Sequence, residues 1–224
     1  MSLPKLLMWI GLERIKADSF VYRGNGMPLS IQDLLTIQKM PSTDEISLQT
    51  IAMFYEEHLC NRQFYYELKH RQKILRLRFK QGDLCHLLGV HYVLRGSQYA
   101  GESGFQKLKK GIITFDSLMQ ANVGGFREVQ FRMLYFPFIY QLIHGPTMVI
   151  NDPHEPNRVQ AMFTFYNKYT ERYVELKLRP EDKINPIFFI PVSFGDQRKI
   201  KPRTKVEIIN QKILDYDDGY SLDT

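Results

Sequence analysis

The stretch Ile74-Leu75-Arg76-Leu77-Arg78-Phe79-Lys80-Gln81-Gly82-Asp83-Leu84-Cys85-His86-Leu87-Leu88-Gly89 changes its period halfway along. Up to Lys80 it alternates, with Leu75, Leu77 and Phe79 apolar and Arg76, Arg78 and Lys80 basic. Successive side chains of a strand point to opposite faces, so this half reads as a half-buried strand with one cationic face. Gly82-Asp83 ends the strand, and Asp83 stands where a helix cap belongs. The helix predicted behind it, Leu84 to Leu94, is apolar on every side; it is expected to be buried, and His86 with it.

Upstream, Ser47 predicts a cap for a helix running to about His70, with Ile51, Phe54, Tyr55, Leu59, Phe64 and Leu68 as its apolar stripe. Ser30 with Asp33 predicts a short capped helix over 30–38. Downstream, Arg95 to Gly104 reads as a glycine-rich loop, followed by a polar helix near 105–110 and another capped at Thr114 or Asp116. A longer helix is expected from Phe126 to Ile143, bent where Pro137 removes a backbone donor. Beyond the turns at 151–157, the segments 159–166, 173–178 and 187–192 are rich in β-branched and aromatic residues and read as strands. Helices first and an antiparallel meander later make an α+β protein. The expected division is an N-terminal appendage over 1–45, an α+β domain over 46–214 and an acidic tail over 215–224.

The chain has 224 residues, 44% hydrophobic and 13% aromatic, enough to bury a core and to exclude general disorder. Two cysteines, Cys60 and Cys85, build no disulfide framework, and a reducing, cytoplasmic setting is expected. The apolar run Leu6 to Leu12 is followed by Glu13, Arg14 and Lys16 rather than by a small-residue cleavage site. The most apolar later run, Met133 to Tyr140, is far below the ~20 residues of a membrane span, so no membrane partner is expected.

Several chemistries lack their residues. Gly96-Ser97-Gln98-Tyr99-Ala100-Gly101-Glu102-Ser103 imitates a phosphate loop, but Glu102 stands where a lysine must neutralise phosphate. No Gly-x-Ser-x-Gly elbow exists. His86 and His91 are five apart and do not share a helix face, so no metal site is expected; the leading reading below uses no organic cofactor either. For these two histidines, a core imidazole with a hydrogen-bond partner and a proton-transfer role stand side by side.

The formal charge of +6 is unevenly spread. Lys69, Arg71, Lys73, Arg76, Arg78 and Lys80 fall in one short stretch without a carboxylate, and a second basic stretch holds Arg198, Lys199, Lys201, Arg203 and Lys205. Such a face suits phosphates; pairing with carboxylates from a neighbouring strand is the alternative. Arg127 and Arg132 lie among Phe126, Phe131, Met133 and Phe136, either for internal pairing or for phosphate recognition. Ser193 closes an apolar strand, as a turn residue or as a hydroxyl facing a cleft.

The string Arg78-Phe79-x4-Leu84-Cys85-His86-Leu87-Leu88-Gly89, together with Arg132, the later aromatic strands and Ser193-Phe194, resembles the phage Barnase-EndoU-Colicin-RelE-like nuclease domains of the fourth group, over roughly residues 48 to 212. The resemblance implies a compact α+β fold, an origin in phage or mobile elements, and toxin-type cleavage of RNA without metal, through attack by the ribose 2′-hydroxyl. It implies His86 in acid/base work, Arg78, Arg127 and Arg132 on phosphate, and Ser193 as a polar orienter. RNA or another nucleic acid is then the expected partner, bound through Arg76, Arg78, Lys80 and Arg127, with a cognate antitoxin or an acidic protein as a further one. The rival reading is a non-catalytic module of the same fold that binds nucleic acid or an acidic protein through its basic strand.

Overall fold

The computed structural model describes residues 28–69, 73–150, 160–169, 172–182, 187–200 and 205–215. Near its start the capping box expected at Ser30 is present: Ser30 Oγ accepts the Asp33 N–H at 3.3 Å, and the Asp33 carboxylate accepts the Ser30 N–H at 2.8 Å. The helix it opens, α1 (Ile31–Leu35), sends Leu34 into the core. α2 (Leu48–His58) follows, with Ser47 Oγ accepting the Thr50 N–H at 2.9 Å.

α2 stops at His58 instead of running to about His70. Asn61 turns the chain with φ of 57°, and β1 (Arg62–Leu68) begins. Phe64, Tyr66 and Leu68 are buried, a period of two that the three-and-four spacing of the α2 stripe masks in the sequence. β2 (Lys73–Arg78) is the expected strand, with Leu75, Leu77 and the adjoining Phe79 buried. α3 (Leu84–Leu88) is shorter than expected and Asp83 does not cap it, its carboxylate accepting the Lys80 N–H at 3.1 Å instead; Gly89 leaves the helix with φ of 77°, a left-handed conformation that glycine adopts readily, and a 3₁₀ turn over Val90–Tyr92 follows.

α4 (Gly101–Lys109) begins inside the expected loop. α5 (Phe115–Ala121) is capped by Thr114 and α6 (Val123–Tyr135) by Asn122. The single bent helix expected over 126–143 is two helices, because Pro137 sits in a 3₁₀ turn, Phe136–Phe138, that separates α6 from α7 (Ile139–His144). The strands are β3 (Thr147–Ile150), β4 (Phe163–Tyr169), β5 (Arg172–Pro180), β6 (Phe189–Gln197), β7 (Lys205–Val206) and β8 (Ile208–Asp215). β3, β7 and β8 were not expected; Lys205 of the second basic stretch lies in the edge strand β7. The turns at 151–157, with His154, and Lys201, Arg203 and the tail from 216 lie outside the described residues.

The strands form one mixed sheet in the order β7-β3-β4-β5-β6-β2-β1-β8. Every neighbouring pair is antiparallel except β2 and β6, which meet in parallel at Leu77 and Phe189. Register places Phe64 beside Leu77, Tyr66 beside Leu75, and Leu176 between Phe165 and Phe194, all fully buried. The helices cover this face: the ring of Phe136 packs edge-on to Phe194 at 5.1 Å, and Tyr66 Oη donates to the Ile143 carbonyl at 2.8 Å. Burying one such aromatic contributes about 1.5–3 kcal/mol, and so the helices and sheet stabilise each other. Residues 28–46 join the same core through Leu34, Ile37 and Ile46. Among the described residues no helix is long and apolar enough to cross a membrane.

Candidate active site

A cleft of about 480 Å³ opens where the start of α3 meets β5 and β6. Asp83 and His86 line it from the α3 side and Arg179, Ile190 and Val192 from the sheet. Arg179 and Ile190 stand opposite one another across the β5–β6 ladder. The register then slips: Lys177 faces Ser193 and Leu178 faces Pro191, leaving Val192 as the extra residue of a β-bulge. Bulges free a backbone group from the ladder and re-aim it. Here the Val192 carbonyl lies 3.1 Å from His86 Nε2.

His86 is exposed, not buried as its apolar neighbours suggested. α3 is only five residues long, so one of its faces stays clear of the core while Leu84, Cys85, Leu87 and Leu88 fill the others. The turn at Gly89 folds the next residues back, and the rings of His86 and His91 stack with centroids 4.7 Å apart and planes 13° apart. Tyr92 packs on His91 at 4.1 Å, and the Arg132 guanidinium lies 5.6 Å from the Tyr92 ring centroid. Burial first, and then the neighbouring His86 and Arg132, push the His91 imidazole below its usual pKa. His91 Nδ1 is buried without a hydrogen-bond partner among the described residues.

The cationic strand has a carboxylate partner, but not from a strand beside it as the alternative reading expected: β6 separates β2 from β5. Glu181, just past β5, takes ion pairs from both Arg78 and Lys80, the latter at 2.5 Å. Burial raises the Glu181 pKa, but the hydrogen bonds from Lys80 and Arg78 outweigh it and hold the carboxyl below its usual range. Arg78 also lies 4.3 Å from the Phe188 ring centroid, and Arg76 covers Tyr65 at 5.5 Å. Asp83 is pushed upward by burial, against the backbone N–H of Lys80 and the charges of Lys80 and His86, while Glu181 raises it further. Asp83 thus senses both the histidine and the ion-pair cluster, which makes them parts of one polar region.

Of the residues singled out in the sequence, the structure brings His86 into the cleft, joins Arg78 and Lys80 through Glu181 beside it, and links Arg132 to His86 only through Tyr92 and His91. Ser193 is one residue past the bulge, half-buried opposite Lys177. Arg127 is exposed on α6 and does not line the cleft. Arg179 was missed. Its Nε is buried and has no hydrogen-bond partner among the described residues. The signal available was Leu178-Arg179-Pro180-Glu181, a basic residue at the end of an alternating strand, but nothing in it points towards α3. Among the described residues no group of three or more His, Cys, Asp or Glu is arranged to hold a metal ion.

No curated protein and no solved structure matches this chain significantly. The sequence model of one family does, from residue 47 to 218, a span that takes in the basic strand, the exposed histidine, the bulge and Arg179. The chain therefore belongs to the family described as phage-Barnase-EndoU-ColicinE5/D-RelE like nuclease4, a nuclease-type domain whose substrate is nucleic acid.

Proposed function

We propose that this protein is a metal-independent ribonuclease in which the ribose 2′-hydroxyl attacks the adjacent phosphate within the His86 cleft. The observation that carries the reading is an exposed imidazole sharing a cleft with Arg179, whose Nε has no hydrogen-bond partner among the described residues. Cleavage of this kind requires a proton to leave the attacking hydroxyl, a proton to reach the leaving oxygen, and positive charge where the phosphorane develops. Histidine is suited to the first two tasks because its ordinary titration lies near neutral pH. The Val192 carbonyl orients the ring at one nitrogen and leaves the other edge to the substrate. Arg179 supports the phosphate, Arg78 and Lys80 the strand beside it, and Arg132 a neighbouring position beyond Tyr92. Ser193, following the bulge, orients the same backbone turn, and Arg76 and Arg127 extend the cationic surface.

The same reading assigns the protein to cytoplasmic, toxin-type effectors of phage or mobile elements. A cognate antitoxin or other acidic protein would use the cationic surface as RNA does, and Glu181 between two cations supports that: a carboxylate already satisfies them. The test is incubation with total RNA in excess EDTA. The expected result is fragments ending in 2′,3′-cyclic phosphate, their loss in His86→Ala at an unchanged melting temperature, and no cut at a linkage carrying a 2′-deoxyribose. Intact RNA with the native protein would overturn the reading.

A further inference from the structure

We propose that Tyr92 is a base-stacking platform, holding an unpaired base of a single-stranded RNA beside the His86 cleft; this rests on the ribonuclease reading above. Tyr92 is 53% exposed, unusual for a large aromatic side chain, and unlike exposed Phe131 or Met119 it touches the ring system of the site. His86, His91 and Tyr92 form a continuous run of flat rings, at 4.7 and then 4.1 Å, leading from the cleft to the surface. Burial first, and then His86 and Arg132, push the middle imidazole towards its neutral form, so His91 adds π surface to the run.

The support behind Tyr92 is rigid. Gly89 lets the chain turn so tightly that an added Cβ would come 2.9 Å from Val129, 3.2 Å from the Tyr92 ring and 3.3 Å from Arg132. A ring held by His91 and Gly89 yet half exposed to solvent, with only the distant Arg132 guanidinium over it, loses little entropy when a base stacks on it, and every base has a face to offer. A base in a duplex is already covered on both faces, so the platform selects unpaired RNA. Arg132, whose guanidinium lies over the ring at 5.6 Å from its centroid, is placed for the phosphate of the same or the next nucleotide.

The experiment measures binding of a labelled single-stranded oligoribonucleotide whose 2′-deoxy linkage at the cut position blocks cleavage. Tyr92→Ala is expected to weaken binding roughly 5- to 150-fold. Tyr92→Phe is expected to bind as the native protein does, and duplex RNA to show no difference between the three. Tyr92→Leu keeps an apolar body of similar reach and guards against a folding defect; it should lose affinity as Tyr92→Ala does. Scanning one abasic nucleotide along the oligonucleotide should find a position that weakens the native protein but adds nothing to Tyr92→Ala. Equal binding by Tyr92→Ala, or an abasic loss that simply adds to it at every position, overturns the platform. If the native protein still cleaves RNA in EDTA in that case, only the Tyr92 assignment falls; if the native protein neither binds nor cleaves RNA, both readings fall.

Discussion

An imidazole three residues after Asp83 on a short helix, with its Nε2 on a bulge carbonyl, is a held group rather than a loose surface histidine. Because His86 is exposed and buries little, His86→Ala should leave the melting temperature unchanged while lowering the cleavage rate by about 10²–10⁴-fold, the range for a removed proton-transfer group. A retained rate would show that the ring only braces β6. Arg179 and Glu181 make a paired prediction. Arg179→Ala removes a cation facing the cleft and should weaken RNA binding and flatten its dependence on salt, by about one phosphate contact. Glu181→Gln removes the carboxylate that competes for Arg78 and Lys80, and should strengthen binding and steepen that dependence. Anisotropy titrations across a salt series measure both, and the same sign for the two variants would contradict the competition. His86 was legible in the sequence as a candidate. Arg179 was not, because its proximity depends on strand pairing across β5 and β6.

At the scale of elements, the position of the histidine depends on how α3 packs between its neighbours. Gly104 of α4 closes that packing: an added Cβ would lie 2.6 Å from Cys85 Sγ and equally close to the Tyr99 backbone. Tyr99 is not a free side-chain end that can swing away, so α4 must shift from α3. Gly104→Ala should destabilise the protein by about 1–3 kcal/mol, as overpacking does, and should lower activity with it because His86 rides on the displaced helix. Thermal melts and rates measured together test this; an unchanged melting temperature would mean that the α3–α4 contact is loose. The period of β2 and the caps Ser30, Ser47 and Thr114 were all readable, since each rests on neighbours within four residues. The end of α2 was not, because Phe64 and Leu68 fit a helical stripe and a strand alternation equally well until β2 and β8 lie on either side.

Across the whole molecule, buried histidines couple stability to pH. Burial lowers the pKa of His58, against Glu57 and together with Arg62, and of His91 as described above. An imidazole whose folded pKa is lowered stays neutral in the fold while the unfolded chain takes up a proton below about pH 6.5. The contribution is therefore present above that pH and is lost as the pH falls through it. Melting temperature should drop between about pH 7.5 and 5.5, and His91→Asn should flatten the drop; a native curve level across this window would contradict both. Glu181, with its lowered pKa, adds a separate loss only at more acid pH, below the usual carboxylate range.

The amino-acid sequence by itself determined the α+β class, the half-buried cationic strand, the caps and the family, because alternation, capping and motif spacing are written in residues close along the chain. Tertiary structure alone decided that His86 faces a cleft shared with Arg179, that Glu181 holds Arg78 and Lys80, and that His91 stacks on His86 with Tyr92 beyond it. These contacts join residues on separate elements, and which of them meet is set by sheet register, the β6 bulge and the left-handed turn at Gly89.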